Sequence, residues 1–325
     1  MKRLGLCLLC CLLLCAGCMK EEPESATTFC ADTVVTITAF DATAEQLRAL
    51  LAACAGYDAV FSKTVEGSDV WRINHADGAP VKVDAAVIEA LQTAQRVAAL
   101  SGGAFDVTVA PASALWDFTG GTALLPDAAA LSAAMQRVDY TRICIEGDAV
   151  TLPAGMQIDL GGVAKGYIAD ETIRLCRESG VAHAILNMGG NVAVAGAKPD
   201  GSGWRVGIQD PADPYGKSAL TLETDHGSVV TSGIYNRGFE LDGVRYHHIL
   251  DTKSGYPVQN ELASVTILSD DGALADALST ACMAMGLQKG MAMLDAVPEA
   301  EGIFILRDGT IHHTDGAANA IKADG

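Results

Sequence analysis

Basic residues are scarce in this sequence. The 325 residues include 22 lysines and arginines against 40 aspartates and glutamates, a net charge of −18. Nucleic-acid binders carry basic patches, so this balance argues against DNA or RNA as a partner. It argues equally against docking on anionic lipid through surface charge. Cysteine is scarce once the start of the chain is set aside. Ten are present, but five lie at or before Cys18. The rest, Cys30, Cys54, Cys144, Cys176 and Cys282, are dispersed, odd in number and without C-x-x-C spacing. That pattern argues against a disulfide framework or a zinc site and leaves buried free thiols as the expectation. The chain also lacks a Pro- or Ser-rich linker after Thr28 and any internal repeat. Neither the Walker pattern G-x-x-x-x-G-K-[ST] nor the dinucleotide fingerprint G-x-G-x-x-G stands at its glycine-rich centre.

The start reads as a targeting segment. Lys2 and Arg3 precede an apolar run from Leu4 to Leu14, too short to span a bilayer comfortably. Leu14-Cys15-Ala16-Gly17-Cys18 resembles a bacterial lipoprotein signal, with Cys15 where leucine is usual. Residues 1–17 are then a signal peptide, and Cys18 becomes the lipidated first residue. An ordinary cleaved signal peptide is the other reading. Loss of Lys2 and Arg3 leaves 20 basic residues against 40 acidic ones. A lipid on Cys18 would hold the protein at a membrane despite that charge. Residues 18–28, which include Lys20-Glu21-Glu22-Pro23-Glu24-Ser25, read as a polar tether, and residues 29–325 as one compact domain.

What the chain does have is organised around Ile158-Asp159-Leu160-Gly161-Gly162-Val163-Ala164-Lys165-Gly166-Tyr167. A strand-like apolar run from Ala149 arrives at Ile158, and a helical pattern leaves over Tyr167–Glu178. Glycines let a backbone approach closely, and a helix start offers unpaired N–H groups to an anion. Lys165 adds a full positive charge. A plain glycine turn before a helix is the competing reading. Further strands are expected at Thr33–Phe40, Ala184–Leu186, Val192–Val194, Trp204–Gln209, Ala219–Glu223, Val229–Gly233, Val244–Leu250 and Ala263–Leu268. Helices are expected at Ala44–Ala55, Ala85–Leu100 with Asp84 as its cap, and Ala273–Gly286. Strands outnumber helices and come in antiparallel-style runs, which favours an α+β fold over a doubly wound sheet.

Three constellations could carry chemistry. Asp276 and Thr280 lie one turn apart on a helix and offer two hard oxygens, as magnesium requires; a solvated helix face would look the same. His248 stands before the Asp251-Thr252-Lys253-Ser254-Gly255 turn and could act as a general base, or simply pack in a strand. His247 should point to the opposite face. Thr231-Ser232-Gly233 could clamp a ligand or be a turn.

In order along the chain stand SGGAFDVTVAP, then LW, IDLGGVAKGYIAD, NMGGNVAVAG, WRVGIQDP, VTSGIYNRGFELDGVRYHHILDTKSGYPV and LASVTIL leading to ADALSTACMAMG. Together these blocks resemble the ApbE family of FAD:protein FMN transferases. The resemblance implies a single α+β domain with mixed, largely antiparallel sheets and flanking helices. It implies Mg²⁺-dependent transfer of FMN from FAD to a threonine or serine of an acceptor protein, with release of AMP. The acceptors implied are subunits of membrane redox pumps of the Nqr and Rnf types, or other exported flavoproteins. By motif it assigns Asp159, Lys165, Phe105, Asp106 and Leu250 to FAD. It assigns the Gly162 carbonyl, Asp276, Thr280 and Ser279 to the metal, and His248 to catalysis; Thr231 and Ser232 belong to the same ligand wall. The chain departs from the pattern at Thr252, where proline is usual, at Ala31, where methionine is usual, and between Ser62 and Ser68, which hold no aromatic. A Mg²⁺-dependent FAD pyrophosphatase and a non-catalytic flavin-binding lipoprotein are the rival readings.

Overall fold

Eight strands lie side by side in the order in which the chain makes them. They are β1 (Glu24–Cys30), β2 (Thr33–Ala39), β3 (Ala184–Met188), β4 (Asn191–Ala195), β5 (Gly227–Gly233), β6 (Leu262–Ser269), β7 (Ala300–Leu306) and β8 (Ile311–His313). Every neighbouring pair is antiparallel. The computed structural model describes residues 22–120, 123–213, 216–235 and 237–322. The expected signal peptide and Cys18 lie outside the described residues. No described helix is long and apolar enough to cross a membrane.

Alternate residues of the central strands enter two different cores. Ala193, Val230 and Phe304 face helices α1 (Ala44–Gly56), α2 (Ala85–Leu100), α3 (Ala164–Glu178) and α4 (Gly272–Met285). Val192, Val194, Val229, Ile303 and Ile305 face a three-stranded sheet made by Trp204–Gln209, Ser218–Thr224 and Ile321–Lys322. The period of two along a strand produces this division. It also explains why these strands read as apolar throughout: both faces are covered. The result is the expected α+β architecture, with helices on one face and a small sheet on the other.

Local chemistry starts the helices where the sequence indicated. Thr43 and Gln46 close a capping box before α1, and the Asp84 carboxylate accepts from the Ala86 N–H before α2. Three expectations change. Glu24–Thr28 belong to β1 rather than to a tether, because Ser25 and Thr27 hydrogen-bond Thr38 and Thr36 across the hairpin. The run after Ala149 is a strand only to Thr151. Beyond it the Asn74 side chain takes the place of a neighbouring strand, donating to the Ile158 carbonyl (2.9 Å) and accepting from its N–H (2.7 Å). Helix α3 begins at Ala164, which puts Lys165 and Gly166 inside its first turn.

Candidate active site

Helices α3 and α4, the C-terminal half of β5 and the loops beside them line one cleft of about 1110 Å³. Eleven residues picked out from sequence line it: Phe105, Asp106, Asp159, Gly162, Lys165, Thr231, Ser232, His248, Leu250, Asp276 and Thr280. Ser279 stands behind them. It is fully buried, donates to the Asp276 carbonyl (2.9 Å) and shares a hydrogen bond with Ser232 (2.8 Å). Its hydroxyl therefore supports the wall rather than facing the cleft.

At the centre, helices α3 and α4 exchange carboxylates. Asp276 of α4 accepts the Gly166 N–H in the first turn of α3 (3.1 Å). Asp170 of α3 accepts the Gly272 N–H at the start of α4 (2.6 Å). Each acid satisfies an orphan donor at the other helix's positive end. The exchange needs close approach, and glycine supplies it: a Cβ on Gly166 would stand 1.9 Å from the Gly272 carbonyl oxygen. The α3 start was expected to present free N–H groups to an anion, but the Gly166 N–H is already held by Asp276. Burial pushes the Asp170 carboxyl up to about 7, against the pull of its bond to the Gly272 N–H. We expect Asp170→Ala to cost about 1–3 kcal/mol, the price of a lost cap and an orphaned N–H. Thermal unfolding checks this, and an unchanged Tm would refute it; Asp170→Asn, which keeps an acceptor, should lose less.

Lys165 reaches back to the Gly161 carbonyl (2.7 Å) and sits 3.4 Å from Asp276 Oδ2. Asp276 is only 2% exposed, which removes the reading of a solvated helix face. Thr280 follows one turn later, and its Oγ1 lies 3.2 Å from the Ser232 hydroxyl. Thr231 and Ser232 are strand residues of β5, so the turn reading falls away. A Cβ placed on Gly162 would lie 3.5 Å from Thr280 Oγ1 and 3.1 Å from Phe105. Gly162, Phe105 and Thr280 thus share one corner of the cleft.

The carboxylates flanking this corner differ in character. Burial alone would raise the pKa of Asp159. The Lys63 ammonium at 2.6 Å, the Gly161 N–H and Lys165 outweigh it and hold the carboxyl below its usual range. Asp106 is driven the other way by burial, against hydrogen bonds from Thr108 and the Tyr140 N–H. Both of its oxygens are engaged by the protein, so it shapes the Phe105 corner from behind.

His248 lies just past the strand Val244–His247, so it escapes the strand's alternation. Its Nδ1 faces the Arg237 carbonyl at 3.4 Å. The ring edge is open to the cleft, but the surrounding protein disfavours its charged form. Desolvation by that surrounding protein, with Arg237 and Lys165 adding to it, lowers its pKa from 6.5 to about 4. His247 is wholly buried, with Nε2 3.0 Å from the Val258 carbonyl. Asp251 does not pair with His248; it accepts from the Lys253 N–H and the Ser254 hydroxyl and so holds the turn.

Sequence reasoning missed Lys63, Arg205 and Arg237. With Lys165 they place four cations among five aspartates on the cleft wall, against 22 to 40 in the whole chain. The cleft wall is thus nearer charge balance than the chain as a whole, which favours it over the rest of this acidic protein as a place for an anion. The signal was present only as single basic residues, Arg205 within the strand Trp204–Gln209 and Lys63 and Arg237 outside helices and strands.

A sequence profile described as the ApbE family matches residues 31–304. The chain belongs to the ApbE family. It is 36% identical over 263 residues to the FAD:protein FMN transferase of Treponema pallidum, covering 76% of this chain and 73% of that protein. A Klebsiella pneumoniae protein of the same name is 36% identical over 245 residues, covering 74% of this chain and 76% of the relative. The ApbE protein of Thermotoga maritima superposes with a TM-score of 0.84 at 30% identity, covering 93% of this chain and all (100%) of that one. The apo flavinyl transferase ApbE of Pseudomonas stutzeri gives 0.82 at 30% identity, covering 94% and 98%. Against the ApbE pattern, the departures here have local roles. Thr252, in the place of proline, donates to the Gly103 carbonyl (2.5 Å). Ala31 occupies a left-handed turn (φ 48°). In the segment without an aromatic, Lys63 is the residue that reaches Asp159.

Proposed function

We propose that this protein is an FAD:protein FMN transferase that moves FMN from FAD onto a threonine or serine of an acceptor protein and releases AMP, with Mg²⁺ held at Asp276 and Thr280. The observation that carries the reading is the meeting of Asp276, Thr280, Gly162, Lys165 and His248 on one cleft wall. Among the described residues, no three carboxylate, histidine or cysteine side chains gather as a metal centre. The donors present are one carboxylate, a hydroxyl and the nearby Gly162 backbone. Such a sparse oxygen set fits Mg²⁺, which completes its shell with water and substrate phosphate. When bound, the ion supplies charge neutralisation to the pyrophosphate.

The chain's own residues do the rest. Lys63, Lys165, Arg205 and Arg237 make the cleft hospitable to a dinucleotide's phosphates. His248, with Nδ1–H directed to the Arg237 carbonyl, keeps Nε2 free to take the acceptor's hydroxyl proton. The hydroxyl oxygen then bonds to the FMN-side phosphorus as the bond to the AMP phosphate breaks. The Phe105 corner, backed by Asp106, and Leu250 wall the site.

The test is to mix the protein with FAD, Mg²⁺ and a threonine-bearing acceptor domain and follow the acceptor's mass. Gain of FMN supports transfer. Free FMN without acceptor modification would make the protein a pyrophosphatase, and unchanged FAD a binding protein.

We further assign the acceptors to subunits of Nqr- or Rnf-type membrane redox pumps, or other exported flavoproteins. The protein would then act on the outer side of the cytoplasmic membrane or in the periplasm, anchored by lipid on Cys18. The charged start, the short apolar run and Ala16-Gly17-Cys18 support this placement. Cys18→Ser should release the protein from the membrane fraction or block its processing; unchanged attachment and processing would rule the anchor out.

A further inference from the structure

Two of the dispersed cysteines meet in space. Cys30 closes β1, and Cys54 lies in the last turn of α1. Their sulfurs are 3.6 Å apart, and both residues are 1% exposed. They are 24 positions apart in sequence, so nothing in the spacing announced the pair. We propose that Cys30 and Cys54 are a redox pair that closes to a disulfide and ties the β1–β2 hairpin to helix α1.

The position gives the bond a consequence for the cleft. Cys30 pairs with Thr33 across a two-residue turn, Ala31-Asp32, in which both residues are left-handed (φ 48° and 56°). Ala31, Asp32 and Thr33 line the cleft, and the Ala31 N–H is held by Asp58 just beyond α1 (2.9 Å). A strained turn is thus already anchored to the α1 end by one hydrogen bond. The disulfide would make that anchor covalent. A bond length of about 2.05 Å requires the sulfurs to close by about 1.5 Å, within reach of side-chain rotation and a small shift of the hairpin.

The chemistry is thiol–disulfide exchange with a small-molecule or protein disulfide as oxidant. Either thiol can begin the exchange, and one route starts at Cys54. Its thiolate attacks an oxidant sulfur and displaces the other as thiol. The Cys30 thiolate then attacks Cys54 Sγ, forms the S–S bond and releases the second oxidant thiol. Two electrons and two protons pass to the oxidant. Because both thiols are buried, exchange occurs as the chain folds or when the hairpin opens.

The test refolds the full chain from reductant with the glutathione disulfide couple and maps the cysteine peptides. The expected product links the Cys30 peptide to the Cys54 peptide in most molecules, lighter by two hydrogens than the unlinked pair. The oxidised protein should melt about 5 °C or more above the reduced one. Cys54→Ala should abolish both the link and the rise. Cys30 and Cys54 both free in most molecules, or joined to other cysteines, would overturn the pairing. A link with no rise in Tm would overturn the tie between hairpin and helix. The comparison of oxidised with reduced wild type stands even if the variant fails to fold.

Discussion

Asp276→Ala is expected to lose Mg²⁺-dependent flavin transfer by about 10³-fold, since a metal's charge stabilisation is worth several kcal/mol and each 1.4 kcal/mol is tenfold. Asp276 lines the same cleft as Thr280 and Gly162, and its burial makes it unsuited to a surface role. It also accepts from the Gly166 N–H and stands by Lys165, so alanine removes a helix cap along with a ligand. That structural loss is on the order of 1–3 kcal/mol. Asp276→Asn separates the two roles, because it keeps volume and a hydrogen-bond acceptor while deleting the charge. Its Tm should stay near the parent's, while activity at limiting Mg²⁺ collapses. Normal turnover by the asparagine variant at limiting Mg²⁺ would remove Asp276 from the metal site.

His248→Ala should keep FAD binding and lose transfer by about 10²–10⁴-fold, the usual worth of a general base. A threonine hydroxyl is a weak nucleophile at neutral pH and needs its proton taken as it attacks. The base must be the neutral imidazole. With its pKa lowered to about 4, His248 stays neutral as pH falls through 6.5, and charges only near 4. Transfer should therefore show no acid limb at 6.5 from this residue. A limb at the ordinary histidine pKa that disappears in His248→Ala would show a ring solvated like any other. His247, also lowered to about 4 by burial, serves as the internal comparison. His247→Ala should act on the fold and leave a milder deficit in transfer. For both residues, stability is full above the unfolded pKa of 6.5 and falls as pH drops from there toward 4. Near-normal transfer by His248→Ala would take it out of the mechanism.

Much of this site is legible in one dimension because its pieces are local. Asp276 and Thr280 sit a helical turn apart, and Asp159, Gly162 and Lys165 stand in one turn. Asp84 and Thr43 start their helices by bonds within three residues. Where the partner came from elsewhere in the chain, the reading stopped short. The run to Ile158 looked like a strand because it is apolar and extended, but its hydrogen bonds go to Asn74, 84 positions away. The start of α3 looked like an open anion site because Asp276, 110 positions on, was not yet beside it. Glu24–Thr28 looked like a tether because its polar side chains, three of the four exposed, concealed the pairing with β2.

By itself the sequence determined the α+β class, the family, the starts of α1 and α2 and eleven of the residues that line the cleft. Those rest on periodicity, capping and short motifs, whose interactions span a few residues. Tertiary structure alone decided which of them face a ligand and which face one another. It turned Asp106 and Ser279 inward, set Lys63 on Asp159, and brought Cys30 to Cys54. It also let α3 and α4 trade carboxylates across the Gly166–Gly272 contact. The physical reason is that pKa, metal affinity and thiol pairing depend on charges and donors within about 4–6 Å, and such neighbours are assembled from distant parts of the chain.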